Sequence, residues 1–256
     1  MRRFFIVAII LVVGGSILFG QELKPYTMGA QSSESLDVVK EKTGQALSAA
    51  GFTILGQYQP AMDEMRWVFV VNSPEMIEAV QEKGELAGFA AALRVGLTLE
   101  NSTVNVSYTN PLYLGNAYFQ KGFSDVEDKF LTVQDKLKQA MAGLGTVKDE
   151  AFGAKEGMTP KAISKYHYMF GMEYFTDVVE LTEFSSYEVG KSIIESKLSK
   201  GGDTKKVYAY EVPGQNLKLY GIALSGESGE EHFLPIIDIG TPKHTAFLPY
   251  EILLMG

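Results

Sequence analysis

Residues 66–111 read RWVFVVNSPEMIEAVQEKGELAGFAAALRVGLTLENSTVNVSYTNP and carry the strongest structural pattern of the chain. Residues 67–71 are a continuous apolar run of β-branched and aromatic residues, which is typical of a central strand. A serine and a proline then favour the start of a helix over 74–83. Residues 93–99 and 104–108 alternate apolar with other side chains around a polar turn, which predicts a half-buried strand and its hairpin partner. The stretch therefore predicts the sheet of a small α+β domain.

The flanking sequence supplies further elements of the same domain. Residues 26–30 are compatible with a first edge strand. Apolar residues recur at spacings of three and four over 36–50, which predicts an amphipathic helix that Gly51 ends. Residues 52–58 read as a strand. After an aromatic-rich loop, Ser124 can cap a helix whose apolar stripe runs to Met141.

This order, with the segments GFTIL, VFVVNSP, GFAAALRVGL and VNVSYTNP, resembles the domain of unknown function 302 family over about residues 26–144. The resemblance implies a two-layer α+β fold, similar to the TATA-binding-protein architecture, with helices on one face of a curved antiparallel sheet. The family tends to have a Cys-Asn-Pro turn where this chain has residues 71–74, VNSP, and Pro-Cys where it has Ala92-Leu93. Chemistry that needs those cysteines is absent here. The family has no established activity, so the resemblance implies a fold and not a function.

The second half predicts another α+β domain over 166–256, after a Gly-, Lys- and Thr-rich linker over 145–165. Ser185 or Ser186 can cap a helix that Gly201 and Gly202 end. The remaining pattern predicts five strands, near residues 175–181, 206–212, 217–224, 233–239 and 246–254. A β-α-β order followed by further strands repeats that of the first half with almost no residue identity. A structural duplication is therefore a hypothesis.

Residues 1–20 have the order of a secretory signal: Arg2 and Arg3, then an apolar run, then small residues. A cut after Gly20 would release a periplasmic or secreted protein. The alternative is an uncleaved anchor, because Phe4 to Gly20 is at the lower limit of length for spanning a bilayer. Either reading places the rest of the chain outside the cytoplasm.

Composition excludes several classes of function. A net charge of −8 without a Lys/Arg stripe disfavours nucleic acid and anionic membranes as partners. The absence of cysteine excludes disulfides, thiolate metal sites and thiol catalysis. No P-loop or G-x-G-x-x-G sequence occurs, and Gly226-Glu227-Ser228-Gly229 is one residue short of a nucleophile elbow, so a hydrolase would be an unusual one.

The sequence favours a non-catalytic binding or accessory protein of the cell envelope and leaves a homodimer open. It predicts a cleft between the two domains that holds a small apolar ligand or a protein partner. The residues expected to border this cleft come from the two aromatic-rich segments and are Tyr113, Tyr118, Tyr166 and Phe170.

Metal sites are the alternative, although the sequence requires no cofactor. His167, Met169 and Met172 form a soft ligand set suited to copper(I) or haem iron, or else a Met-rich packing segment. Asp238 and His244 could form a hard metal site with the Glu230-Glu231-His232 segment, which otherwise reads as a solvated hairpin turn.

Overall fold

The computed structural model describes residues 22–166 and 174–256, which form antiparallel sheets flanked by helices, as the sequence predicts. The predicted leader lies outside these ranges. Within them no helix is long and apolar enough to cross a membrane. The described strands are β1 (Tyr26–Ser32), β2 (Thr53–Tyr58), β3 (Arg66–Asn72), β4 (Leu93–Glu100), β5 (Thr103–Thr109), β6 (Thr146–Phe152), β7 (Thr204–Glu211), β8 (Leu217–Leu224) and β9 (Tyr250–Met255). The described α-helices are α1 (Leu36–Ala49), α2 (Pro74–Lys83), α3 (Pro111–Phe119), α4 (Glu127–Met141), α5 (Pro160–Ile163), α6 (Tyr187–Lys200) and α7 (Glu230–Ile237).

The first unit is a six-stranded antiparallel sheet in the order β2-β3-β4-β5-β1-β6, covered on one face by α1 to α4. Its other face packs on the second unit, and this makes β4 buried on both sides rather than half-buried as predicted. Arg94, Gly96 and Thr98 alternate along this second face. A Cβ on Gly96 would lie 2.7 Å from the backbone nitrogen of Ala246, so glycine permits the close approach of the turn Thr245–Phe247.

The boundary of the first unit differs from the predicted linker over 145–165. Residues Thr146–Phe152 form β6, which pairs antiparallel with β1. As a result β1 lies between β5 and β6 and is an internal strand, where the sequence predicted an edge strand. The middle of β6 is the charged run Lys148-Asp149-Glu150, so the strand lacks the apolar alternation by which a strand is identified.

The aromatic-rich loop expected after β5 is the helix α3 in the structure. Asn110 caps it, since its side chain accepts hydrogen bonds from the backbone of Leu112 and Tyr113, and Pro111 takes the first helical position. Nearly all of α3 is buried. A helix that is apolar on every side has no stripe of period 3.6, so the sequence pattern did not distinguish it from a loop.

The second unit is a three-stranded antiparallel sheet, β7-β8-β9, with α6 on one face. Ser186 caps α6 by accepting from the backbone of Val189, and Gly201 ends it at φ 69°, as predicted. Residues 175–181 have no regular structure, contrary to the predicted strand. The predicted strand at 233–239 is also wrong: Glu230–Ile237 is the helix α7, whose short apolar run does not separate strand from helix by pattern.

The two units share an order of helices and strands, which differs from the predicted one in that α7 replaces a predicted strand. The segment α1-β2-β3-α2-β4 has the same order as α6-β7-β8-α7-β9, and the strands are neighbours in the same sequence in both sheets. The first hairpin of each has a register shift at the equivalent place, between Ile54 and Gly56 and between Lys206 and Tyr208. Cross-strand pairing then gives residue correspondences: Gly56 with Tyr208, Val70 with Gly221, and Arg94 with Glu251.

Equivalent segments of the two units make equivalent contacts with the opposite unit, as in a two-fold symmetric arrangement. The segment Glu85–Ala91, which precedes β4, packs on β8 and β9, and the turn Thr245–Phe247, which precedes β9, packs on β3, β4 and β5. The turn after β2 contacts α7, while the turn after β7 hydrogen-bonds to Gln81 of α2. The equivalent strands β2 and β7 contact each other. These correspondences support the duplication hypothesis for two helices and three strands.

Candidate functional site

A cleft of about 550 Å³ lies between the first unit and the segment that joins α7 to β9. One wall is formed by the start of β1, by α3 and by the loop after β6, and the opposite wall by the residues around Asp238 and His244. The lining residues are Pro25, Tyr26, Tyr113, Gly153, Ala154, Glu156, Gly157, Met158, Tyr166, Ile237, Asp238, His244 and Phe247. They are mainly apolar and aromatic, which is usual for a small-molecule site.

Asp238 is the most constrained polar group of the cleft. Its side chain is 1 % exposed and accepts from Arg66 at 2.5 Å, from the backbone nitrogen of His244 at 2.9 Å and from His244 Nδ1 at 3.0 Å. Arg66 opens β3 and also donates to Asp63 and to Thr245 Oγ1, so its guanidinium ties Asp238 to the first sheet. Asp238 therefore has a fixed orientation supplied by both units.

His244 is held between this carboxylate and two aromatic rings. Its ring centroid is 5.7 Å from that of Phe152, with the planes nearly parallel, and 5.8 Å from that of Tyr26. A carboxylate can only accept, so Nδ1 of His244 donates to Asp238, and in the neutral form of the ring Nε2 is an acceptor. Among residues 22–166 and 174–256, Nε2 has no hydrogen-bond partner. A ligand in the cleft can therefore donate a hydrogen bond to it.

The phenol groups of the cleft are donors. Burial raises the pKa of Tyr26 to about 12, and burial likewise raises the pKa of Tyr113. Both hydroxyls therefore stay protonated at neutral pH. The cleft lining therefore combines apolar rings with protonated phenols and the imidazole of His244.

Two of the four predicted cleft residues, Tyr113 and Tyr166, line the cleft. Tyr118 does not, although its ring joins theirs through Phe175, whose centroid is 5.9 to 6.1 Å from those of Tyr113, Tyr118 and Tyr166. Phe170 lies outside the described residues. No sequence pattern indicates Tyr26, Phe247 or the loop after β6 as cleft residues, because they come together from distant segments of the chain.

The predicted metal ligands are placed as follows. His167, Met169 and Met172 lie outside the described residues, so the copper or haem site stays a prediction that metal analysis and a visible spectrum of the purified protein would test. Among the described residues, no group of three or more His, Asp or Glu side chains could hold a metal. Glu230 is not in a solvated turn: it is 1 % exposed and accepts from Tyr58 and from the backbone of Ala61 and Leu224.

The polar side chains of the cleft lining are carboxylates, phenols and one imidazole. The described lining residues include no serine, threonine, lysine or cysteine that could act as a nucleophile. A smaller cavity of about 390 Å³ lies beside the cleft and shares Asp238 with it; Arg66 and Lys243 contribute charge there. The Asp238–His244 pair is therefore the polar centre of a largely aromatic cleft.

The stability of this centre is expected to depend on pH. Burial acts to raise the pKa of Asp238, but the hydrogen bonds from His244 and Arg66 outweigh it and lower the pKa to about 2. An acid whose pKa is depressed in the folded state stabilises above its unfolded pKa, 3.8, and loses that contribution as the pH falls towards 2. The shift corresponds to about 2 kcal/mol.

Asp238→Asn should remove this contribution. Chemical denaturation between pH 7 and pH 2 should show a smaller loss of stability on acidification in the variant than in the original protein, by about 2 kcal/mol. Asp149→Asn is the matched control, since Asp149 is a half-exposed partner of Lys138. Equal acid dependence in the original protein and both variants would contradict the role assigned to Asp238.

Comparisons with known proteins find a partial structural similarity and assign no function. No family model matches the sequence, and a search of curated proteins finds no match. Among solved structures, the chain is similar to an uncharacterised conserved protein, DUF302, from Bacillus stearothermophilus, with 15 % identity and a TM-score of 0.40 over 45 % of this chain and 94 % of that one. This is consistent with the domain of unknown function 302 expected in part of the chain.

Proposed function

We propose that this protein is a non-catalytic binding protein of the cell envelope that holds a small aromatic molecule in the cleft between its two units. The observation that carries the proposal is His244, whose Nδ1 is held by Asp238 and which lines the cleft together with Tyr26, Tyr113 and Tyr166. A cleft of about 550 Å³ is within the size range of small-molecule sites. The aromatic wall favours a planar apolar ligand.

The polar groups favour a ligand with a hydroxyl group. Nε2 of the neutral imidazole accepts, so a phenol or alcohol of the ligand can donate to it. A ligand without a donor would displace water from this nitrogen without replacing its hydrogen bond, which costs about 1 kcal/mol or more. The class of ligand is therefore a hydroxylated aromatic compound.

The first test compares 2-naphthol with 2-methylnaphthalene, which has the same shape and lacks the hydroxyl group. Titrations followed by ligand fluorescence or calorimetry should give a dissociation constant about tenfold lower for 2-naphthol, equivalent to about 1.4 kcal/mol. His244→Phe should abolish the difference because it keeps a ring and removes the acceptor. Tyr113→Ala should weaken both compounds.

His232→Phe is the matched control, since His232 is 63 % exposed and is not among the residues that line the cleft. It should bind both compounds as the original protein does. Binding that His244→Phe and Tyr113→Ala leave unchanged would contradict the site, and failure of both compounds to saturate the protein would contradict the proposed ligand class. Mass spectrometry of molecules that copurify with the mature protein would identify the natural ligand.

A further inference from the structure

The two sheets have four edge strands among the described residues, and three of them are protected. The strands β2 and β7 lie against each other, so close that a Cβ on Gly56 would be 2.3 Å from the carbonyl oxygen of Val207. The edge strand β6 carries Lys148, Asp149 and Glu150 and a register irregularity opposite β1. Charges and bulges of this kind prevent the addition of further strands.

The fourth edge strand, β9, has none of these protections. Its sequence is YEILLM, and its one charged residue, Glu251, is buried against Arg94. Within the described chain, β9 pairs only with β8, and its other edge has no strand beside it. A six-residue apolar edge without a free charge, lysine or proline is a template for strand pairing.

The correspondence between the two units indicates what belongs at this edge. β9 is the counterpart of β4, because Arg94 lies opposite Val70 and Glu251 opposite Gly221, the equivalent positions of β3 and β8. In the first unit the outer edge of β4 is occupied by the antiparallel strand β5. The described part of the second unit supplies no such strand. The missing neighbour of β9 is therefore an antiparallel, largely apolar strand.

We propose that a second copy of this chain supplies that strand through its own β9. In two copies related by a two-fold axis, the two β9 strands run antiparallel to each other. The free edge of β9 in each copy can therefore pair with the free edge of β9 in the other. Self-pairing brings no like charges together, because Glu251 of each copy is neutralised by its own Arg94. The result is a continuous six-stranded sheet in the order β7-β8-β9-β9-β8-β7. None of the residues of β9 lines the cleft.

The test is the oligomeric state of the full protein and of two edge variants. Light scattering after gel filtration should give twice the mass of a single chain for the original protein. Ile252→Lys places a charge on the half-buried middle of β9 and should give the mass of a single chain. Val147→Lys, a matched change on the protected edge strand β6 at a side chain that is 52 % exposed, should remain a dimer.

Hydrogen exchange gives a second measurement that does not depend on a variant that folds. In the original protein, amides of β9 should become protected as the concentration rises through the dimerisation range, while those of β6 should not change. A single-chain mass at all concentrations up to about 10⁻⁴ M, a dimer with unprotected β9 amides, or a dimer lost only in Val147→Lys would overturn the proposal. So would protection of β9 only when a different protein is added.

Discussion

Arg94→Leu should destabilise the protein by about 3 to 5 kcal/mol, the usual cost of removing one partner from a buried ion pair. Arg94 lies on β4 and its guanidinium pairs with Glu251 on β9, whose carboxylate also accepts from the hydroxyl of Tyr208. The side chains of Arg94 and Glu251 are 11 % and 7 % exposed. Without Arg94, Glu251 would be a buried carboxylate with a single hydroxyl donor.

Thermal unfolding should show the loss as a fall in midpoint of roughly 10 °C, given the size of the chain. Glu251→Leu should lower the stability by a similar amount, because it leaves the buried guanidinium of Arg94 without its carboxylate partner. The double variant, Arg94→Leu with Glu251→Leu, should be destabilised by less than the sum of the two, since neither charge is then left alone. A double variant that equals the sum would mean that the pair is not coupled.

The control for this prediction is Lys138→Leu. Lys138 pairs with Asp149 at 2.8 Å, but both side chains are nearly half exposed, and such pairs contribute at most about 1 kcal/mol. If the Arg94→Leu and Lys138→Leu variants unfold at the same denaturant concentration, the stability of the protein does not depend on the buried pair.

The first sheet was predictable because its strands and helices carry regular patterns. The helix α2 occupies residues 74–83 as predicted, since Pro74 and Gly84 mark its two ends. The apolar run at 67–71 lies within β3. The helix α3 was not predictable in this way, because Asn110-Pro111 reads equally well as the end of a sheet and as a helix cap.

The second face of β4 shows the limit of such patterns. Arg94 and Thr98 look like residues of a solvated face, yet they are buried because the second unit packs on them. Nothing local to β4 contains that information. The same holds for Glu230, which sits in an acidic segment but is buried at the start of α7 by partners from the first unit.

The candidate cleft was predictable in part. Tyr113 and Tyr166 belong to conspicuous aromatic segments and line it. The sequence singles out Asp238 and His244 as candidate metal ligands; the structure places them together, with Arg66 as the other partner of the carboxylate. Tyr26 and Phe152 reach His244 only because β1 pairs with β6, and a charged β6 gave no sign of a strand.

Gly56→Ala should destabilise the protein by about 3 kcal/mol, although it adds a single methyl group. The new Cβ would lie 2.3 Å from the carbonyl oxygen of Val207 and 3.0 Å from Cβ of Tyr208, so the backbones of β2 and β7 would have to move apart. Overpacking of this kind costs 1 to 3 kcal/mol, and a backbone obstacle relaxes less readily than a flexible side chain. Urea denaturation would measure the loss.

Gly143→Ala is the matched control, because no atom lies within 4 Å of its added Cβ and its backbone does not require glycine. It should be neutral or stabilise by up to about 1 kcal/mol. Similar stabilities of the two variants would contradict the close approach of β2 and β7. The reason that glycine is needed at 56 lies in its counterpart: Tyr208 occupies the equivalent position, and its ring packs on Gly221. The two equivalent strands can approach because one side chain of the pair is absent.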